Sequence, residues 1–235
     1  MFHYINQPWI AQANDSDAYE VKMNTKNIVG GSNDIIAWLS NRQGEAYKDS
    51  YIYEFLAEKK YPDNEEVAKS YALRMLVHLI GDIAQPFHSM TRFDPDEMNG
   101  DKGANTFKLK YRYRVKNLHS LWDKVLYEER NNVKRPFVQD TWDSFQVKVD
   151  RVMADHADAV ADPSVYESVD MQDWADDAWE VAKTLYDGLE EGGPVPAEYL
   201  EKNIPIAYDR ILIGGYRLYY ALDYIFSDEF DLDLD

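Results

Sequence analysis

His78 and Asp82 stand four residues apart, and His119 and Asp123 repeat that spacing. On a helix each pair shares one face, a single turn apart. His88 follows the first pair across Gln85-Pro86. Proline cannot continue a helix and biases Gln85 away from helical geometry, so the chain must bend there, and the bend can swing His88 back toward the helix end. The chain has five histidines, three of them in these two segments. Neutral imidazoles and carboxylates at this spacing suit a borderline cation such as zinc, which takes nitrogen and oxygen ligands. One His–Asp pair on a helix is more often a hydrogen-bonded or capping pair. Two such pairs, with a third histidine after a proline break, favour a metal site.

The elements that must position these residues read as helical. Asn64 opens a long helix with Val67, Ala68, Tyr71, Leu76, Leu79 and Ile80 on an apolar face, and this helix delivers His78 and Asp82 near its C-terminal end. Asn117 is placed to cap the helix that carries His119 and Asp123. Residues 89–117 form the longest non-helical segment, where Thr106, Phe107, Leu109, Tyr111, Tyr113 and Val115 roughly alternate with Lys and Arg, as in a short strand or hairpin arm. Residues 1–32 read as irregular, with Gly30-Gly31-Ser32 as a turn and Ser32 or Asn33 as the cap of the helix that follows. Further helices are expected around Tyr51 to Leu56, from about 140 to 160 with Trp142, Phe145, Val149 and Val152 on one stripe, from Trp174 to Leu185, and from about 206 to 226. Gly214-Gly215 is costly in mid-helix and predicts close helix–helix packing. His156 reads as solvent-facing and not a ligand, and residues 228–235 as an acidic tail. The expected fold is all-α, a single-domain helical bundle over residues 1–235 with a short β-arm near the metal site.

A chain of 235 residues is long enough to bury a sizeable core within one domain. With 45% hydrophobic and 29% charged residues its composition is that of a globular protein. The net charge of -18 argues on its own against nucleic acid, whose binders normally present a basic face. Bound metal ions reverse the local sign, because they are the largest charges in such a site. Without cysteine there is no disulfide and no thiolate metal site. No apolar run is long enough to span a membrane, and the first residues, Met-Phe-His-Tyr, carry neither the basic region nor the apolar core of a signal peptide.

Three segments in combination resemble one known family: His78-x3-Asp82-x5-His88 with Gln85-Pro86 inside it, Asp101-Lys102-Gly103-Ala104-Asn105, and Asn117-Leu118-His119-x2-Trp122-Asp123. This combination resembles the S1/P1 (type I) nucleases, zinc-dependent enzymes specific for single strands. The resemblance extends back to His3-Tyr4-Ile5-Asn6 and forward through Trp174-Ala175, Val181 to Tyr186 and Gly214-Gly215-Tyr216-Arg217-Leu218. It implies a phospholipase C/nuclease-like helical fold and a cleft with up to three zinc ions. His88, His119 and Asp123 would hold one ion. His3, His78 and Asp82 would contribute to a second, and Asp82 would bridge to a third, which makes Asp82 the bridging ligand in the metal cluster that activates water. The implied reaction is hydrolysis of single-stranded DNA or RNA to 5′-phosphorylated products by a metal-bound hydroxide, with 3′-nucleotidase action on nucleotides as a companion activity.

The resemblance also assigns substrate contacts. Tyr4 stands where the family places an aromatic that stacks on a base, Asn6 where it often has an Asp that reads a base edge, and Asn105 in the Gly-Gly-Asn motif, whose second glycine is Ala104 here. Family members carry further zinc ligands ahead of the segment that matches His3. On that comparison the chain is expected to be N-terminally incomplete, as a truncated reading or a shortened homologue, with the zinc of His88, His119 and Asp123 the best supported and turnover weak or absent. The family implies a secreted or periplasmic monomer. Two alternatives share the spacing: a zinc-dependent phospholipase C, whose later motif ends in Glu where this chain has Asp123, and a degenerate non-catalytic homologue stapled by one structural zinc.

Overall fold

The computed structural model describes residues 3–11, 26–42, 44–129, 136 and 138–227. The expected acidic tail at 228–235 lies outside the described residues. Helix α1 (Ile28–Ser40) starts at Asn27, whose side chain accepts a bond from Gly30 N. Gly30-Gly31-Ser32 is therefore inside a helix and not a turn. The reason is tertiary: Ile28 and Val29 are buried in the core, and that burial outweighs the poor helix propensity of two glycines. Helix α2 (Tyr51–Tyr53) runs straight into a π-helix at Glu54–Lys60.

Helix α3 (Glu65–Ala84) opens as expected at Asn64, whose side chain accepts from Val67 N at 3.1 Å. It is two-faced. Ala68, Ala72, Leu76, Leu79 and Ile83 form the buried stripe. Tyr71, Arg74, His78 and Asp82 form another at helical spacing, less buried, and it includes two of the candidate metal ligands. The helix stops at Gln85, and Pro86–His88 make a 3₁₀ turn.

Two small sheets follow. Strand β1 (Gln7–Ile10) pairs in parallel with β2 (Met90–Phe93), Gln7 opposite Met90. This pairing was not legible in the segment's composition; it exists because the chain after His3 lies alongside the chain after His88, with Ile5 N donating to His88 O at 3.0 Å and Gln7 N to Ser89 O at 3.0 Å. Strands β3 (Lys108–Arg112) and β4 (Val115–Asn117) form the expected antiparallel arm, with Leu109 and Val115 inward and Tyr111 outward. Asn117 then caps the short helix α4 (Leu118–Trp122) in a reciprocal capping box with Ser120.

Helix α5 (Gln139–Asp155) has no buried residue, and Trp142 of its apolar stripe is 50% exposed. His156 at its end is not solvent-facing: its ring is half-buried and Nδ1 lies 2.6 Å from Asp209 Oδ1. Helix α6 (Met171–Ala182) is capped by Asp170. Helix α7 (Ala197–Phe226) begins nine residues before the expected start. Pro205 lies within the helix, because buried Tyr199, Asn203 and Ala207 dock the turns on both sides of it. A Cβ at Gly214 would stand 2.8 Å from the Ala84 Cβ, so this glycine does permit close approach of α7 to α3. A Cβ at Gly215 would meet nothing within 4 Å, so the second glycine is not needed for packing.

Two apolar clusters hold these elements. Ile28, Ile35 and Trp38 of α1 pack with Leu76, Leu79, Ile80 and Ile83 of α3 and with Trp174 of α6. Phe87, Phe107, Leu118, Leu121, Trp122, Leu185 and Tyr199 build the second, directly beneath the bend at Pro86. Each fully buried side chain of this size stabilises the fold by about 1.5–3 kcal/mol. The architecture is the expected all-α bundle with a β-arm.

Candidate metal centre

The parallel β1–β2 pairing brings His3 to the end of α3. There its Nδ1 lies 2.7 Å from Asp82 Oδ2 and 3.1 Å from His78 Nε2, and His78 Nε2 lies 3.2 Å from Asp82 Oδ2. Three ligand atoms thus form a triangle. An imidazole nitrogen carries at most one proton, an ionised carboxylate none, and each N–H points at one acceptor, so the three contacts cannot all be hydrogen bonds. Ligands about 2.0–2.1 Å from one tetrahedral zinc stand about 3.3 Å apart. The triangle fits a shared cation better than it fits a hydrogen-bond chain.

The second group is His88, His119 and Asp123, whose ligand atoms all lie within 4.8 Å of one another. His119 Nε2 is 3.6 Å from Asp123 Oδ1. The surroundings fix the tautomers. His119 Nδ1 lies 2.8 Å from the Gly103 carbonyl oxygen, which can only accept, so Nδ1 holds the proton and Nε2 presents its lone pair. His88 Nδ1 donates in the same way to the His3 carbonyl. That bond ties the two groups together, and Asp82 Oδ2 stands 3.9 Å from the same His88 nitrogen. Burial pushes the His88 pKa below its usual value, with His119 adding to the effect and Asp82 opposing it. A neutral ring is the form that binds metal.

Tyr4 fills the space between. Its ring stacks on His88 at 4.6 Å with the planes 5° apart, and its hydroxyl lies 3.4 Å from His119 Nε2. Its hydroxyl also hydrogen-bonds to Asn105, while burial raises its pKa. Asn105 is fixed in turn by its Nδ2 donating to Lys102 O at 2.9 Å. Asn6 takes left-handed backbone, which asparagine tolerates, and its Oδ1 accepts from Thr91 Oγ1 at 3.0 Å. The structure therefore brings His3, Tyr4, His78, Asp82, His88, Asn105, His119 and Asp123 to one place, and engages Asn6 with the strand beside it.

Residues 1–227 match the family model described as S1/P1 Nuclease. The chain belongs to the S1/P1 nuclease family. It is similar to Endonuclease 2 of Arabidopsis thaliana, 27% identical over 237 residues that make up 96% of this chain and 71% of the plant protein. It is also similar to Nuclease S1 of Aspergillus oryzae, 31% identical over 167 residues, 66% of this chain and 54% of that protein, and to Endonuclease 1 of Arabidopsis thaliana, 27% identical over 172 residues. The matches span about half the length of these last two relatives. The S1/P1 family is metal-dependent, which agrees with the two His-His-Asp groups.

Within this S1/P1 chain several supporting residues have roles that spacing alone does not show. Gln85 donates from Nε2 to Asp123 Oδ1 at 2.9 Å and accepts from Phe87 N, so the residue before the proline clamps both the bend and a candidate ligand. Asp101 is fully buried, receives Arg92 N at 3.0 Å and the Tyr186 hydroxyl, and so anchors the loop that supplies the Gly103 carbonyl. Gly103 has φ +64°, and a Cβ there would stand 2.2 Å from the Phe87 carbonyl oxygen. Gly103→Ala is expected to push the loop off the bend and take the carbonyl away from His119. Loss of such an outer partner typically weakens metal affinity about 10–100-fold. Competition with a chelating dye measures it, and unchanged affinity would show that the carbonyl is dispensable. The signals for Gln85, Asp101 and Gly103 were present as motif residues; their roles were not, because they depend on what the loop packs against.

Proposed function

We propose that the two groups each hold a zinc ion and that the chain is one domain that hydrolyses single-stranded DNA or RNA to 5′-phosphorylated products, with 3′-nucleotides as further substrates. The supporting observation is the convergence of two His-His-Asp groups joined by the His88–His3 bond, in a member of a nuclease family. The donor set is nitrogen and carboxylate oxygen, with no thiolate in the chain, which suits zinc. Bound ions would lower the pKa of water and neutralise phosphodiester charge. His3, His78 and Asp82 would bind one ion, and His88, His119 and Asp123 the other. The Gly103 and His3 carbonyls hold two imidazoles in the ligating tautomer. Gln85 holds Asp123. Tyr4 offers an aromatic edge and hydroxyl between the groups; one face is covered by His88, so base stacking falls to the other. No helix is long and apolar enough to cross a membrane among the described residues. Export and a monomeric state belong to the same proposal through the family resemblance.

The test is elemental analysis of the metal-stripped and zinc-reloaded chain, together with hydrolysis of single-stranded and duplex DNA. Two zinc ions per chain, one for each group, and zinc-dependent cutting of the single strand alone are expected. A chain that retains no zinc after reloading would overturn the proposal.

A further inference from the structure

Beside the first ligand group a second feature opens, a cleft of about 390 Å³ whose walls include His3 and His78 themselves and then Phe55, Tyr71, Arg74 and Met75. It is aromatic and cationic at once. Phe55 is 42% exposed and its ring stacks on Tyr51 at 6.2 Å with the planes 4° apart. Lys60 Nζ lies 3.8 Å from the centre of the Tyr71 ring and 6.0 Å from that of Phe55, and the Arg74 guanidinium is 5.7 Å from the Tyr71 ring.

Two local structures create this. In the π-helix Glu54–Lys60 the bonding runs from residue i to i+5, as in Tyr61 N to Leu56 O at 2.9 Å, so residues five apart come nearly above one another and Phe55 and Lys60 share a face. On α3, Arg74 precedes His78 by four residues, one turn or about 6 Å along the axis, on the face that leads to Asp82.

The charges distinguish this cleft from an ordinary surface. The chain carries a net charge of -18, and neighbouring lysines are spent on carboxylates: Lys48 on Glu45, Lys59 on Glu54, Lys69 on Glu65. Lys60 and Arg74 face aromatic rings and pair with no carboxylate among the described residues. Unneutralised cations next to exposed aromatic faces are what a single-stranded nucleic acid needs, because the cations take phosphates while the rings stack on unpaired bases of any sequence. A duplex, with its bases already stacked, gains nothing from Phe55.

We propose that this cleft is a nucleotide subsite: Phe55 stacks on a base of a single strand, Arg74 and Lys60 hold its phosphates, and α3 leads the strand along one face into the His3–His78–Asp82 group. The inference rests on the nuclease reading for its direction, and it names the residues that would confer single-strand preference.

The experiment is binding of a fluorescein-labelled twelve-residue oligothymidylate with a phosphorothioate backbone to the zinc-loaded chain, followed by anisotropy over a salt series. Phe55→Ala is expected to weaken binding about tenfold, the usual consequence of losing one stacked base. Arg74→Ala is expected to weaken it to a similar degree and to flatten the slope of log affinity against log salt by about 0.7. A labelled duplex is expected to respond to Arg74→Ala and not to Phe55→Ala. Both side chains are exposed, and unchanged melting temperature and zinc content of each variant confirm that fold and metal groups are intact. If both variants bind the single strand like the parent, or the parent does not bind it, the subsite is overturned. If binding depends on Phe55 and Arg74 while the zinc-loaded parent cuts no nucleic acid, the subsite stands and the nuclease reading falls.

Discussion

His119→Ala is expected to remove one metal ion per chain and to cut hydrolysis of single-stranded DNA by at least about a hundredfold, since loss of a direct ligand exceeds the 10–100-fold typical of outer partners. The change has two separable parts. The ring is buried and its Nδ1–H serves the Gly103 carbonyl, so without any metal the variant loses a buried hydrogen bond, about 1–3 kcal/mol. With free zinc at about a thousand times its dissociation constant, each ion stabilises the parent by about 4 kcal/mol more. In a chain of this size 1 kcal/mol shifts the melting temperature by about 2–4 °C. The gap between parent and variant should therefore widen by roughly 8–16 °C when zinc replaces chelator. A gap of the same size in both conditions would mean that His119 is a packing residue. The pH dependence has a definite sign. His88 is held below its ordinary pKa by burial, so the unfolded chain takes up its proton first as pH falls below about 6.5. Stability of the metal-free chain should decline on acidification through that window, down to the lower folded value.

Asp177→Ala is expected to destabilise the chain by about 3 kcal/mol, the low end for breaking a buried ion pair. Asp177 Oδ2 receives Arg210 Nη1 at 2.5 Å and Arg217 Nη2 at 2.8 Å, and both arginines are nearly completely buried. Without the carboxylate two guanidinium groups would face one another. The low end applies because the Asp177 side chain is 43% exposed, so water can replace part of what it supplies. Burial alone would raise the Asp177 pKa, but Arg210 and Arg217 together outweigh it and hold it below the usual range. A depressed carboxylate stabilises the fold fully above its unfolded value, and that contribution is lost as pH falls below about 4 through the folded value. The parent should lose more stability there than the variant, which keeps its other depressed carboxylates such as Glu54 and Glu65; parallel curves would show that the pair contributes nothing. The pair also reaches the metal centre, since Arg210 Nε donates to Ala84 O at 3.2 Å, the last carbonyl of α3. Asp177→Ala should therefore loosen zinc as well as the fold.

Much of the site was legible in one dimension because its spacing is local. His78 with Asp82, and His119 with Asp123, need only a helix to converge, and Asn64 and Asn117 announce both helices. Pro86 announces the bend that returns His88. Local sequence and structure part where packing overrides propensity. Gly30-Gly31-Ser32 joined α1 because its neighbours are core residues, and Pro205 was absorbed by α7 because the turns around it are docked. His156 reads as solvent-facing in one dimension because its partner, Asp209, is 53 residues away on another helix.

The sequence by itself determined the candidate ligand types, their i, i+4 pairing, the helices that carry them and the family, because each depends on residues close in the chain or on motifs read in order. Only the tertiary structure decided that His3 joins His78 and Asp82, that the Gly103 and His3 carbonyls set two histidine tautomers, and that Phe55, Lys60 and Arg74 meet beside them. The contacts of His3 and of the two carbonyls join residues 16 to 85 positions apart, and Arg74 lies on a different helix from Phe55 and Lys60. Chain proximity says nothing about them; they follow from a parallel strand pair, a buried loop and a π-helix, each fixed by what the rest of the fold packs against it.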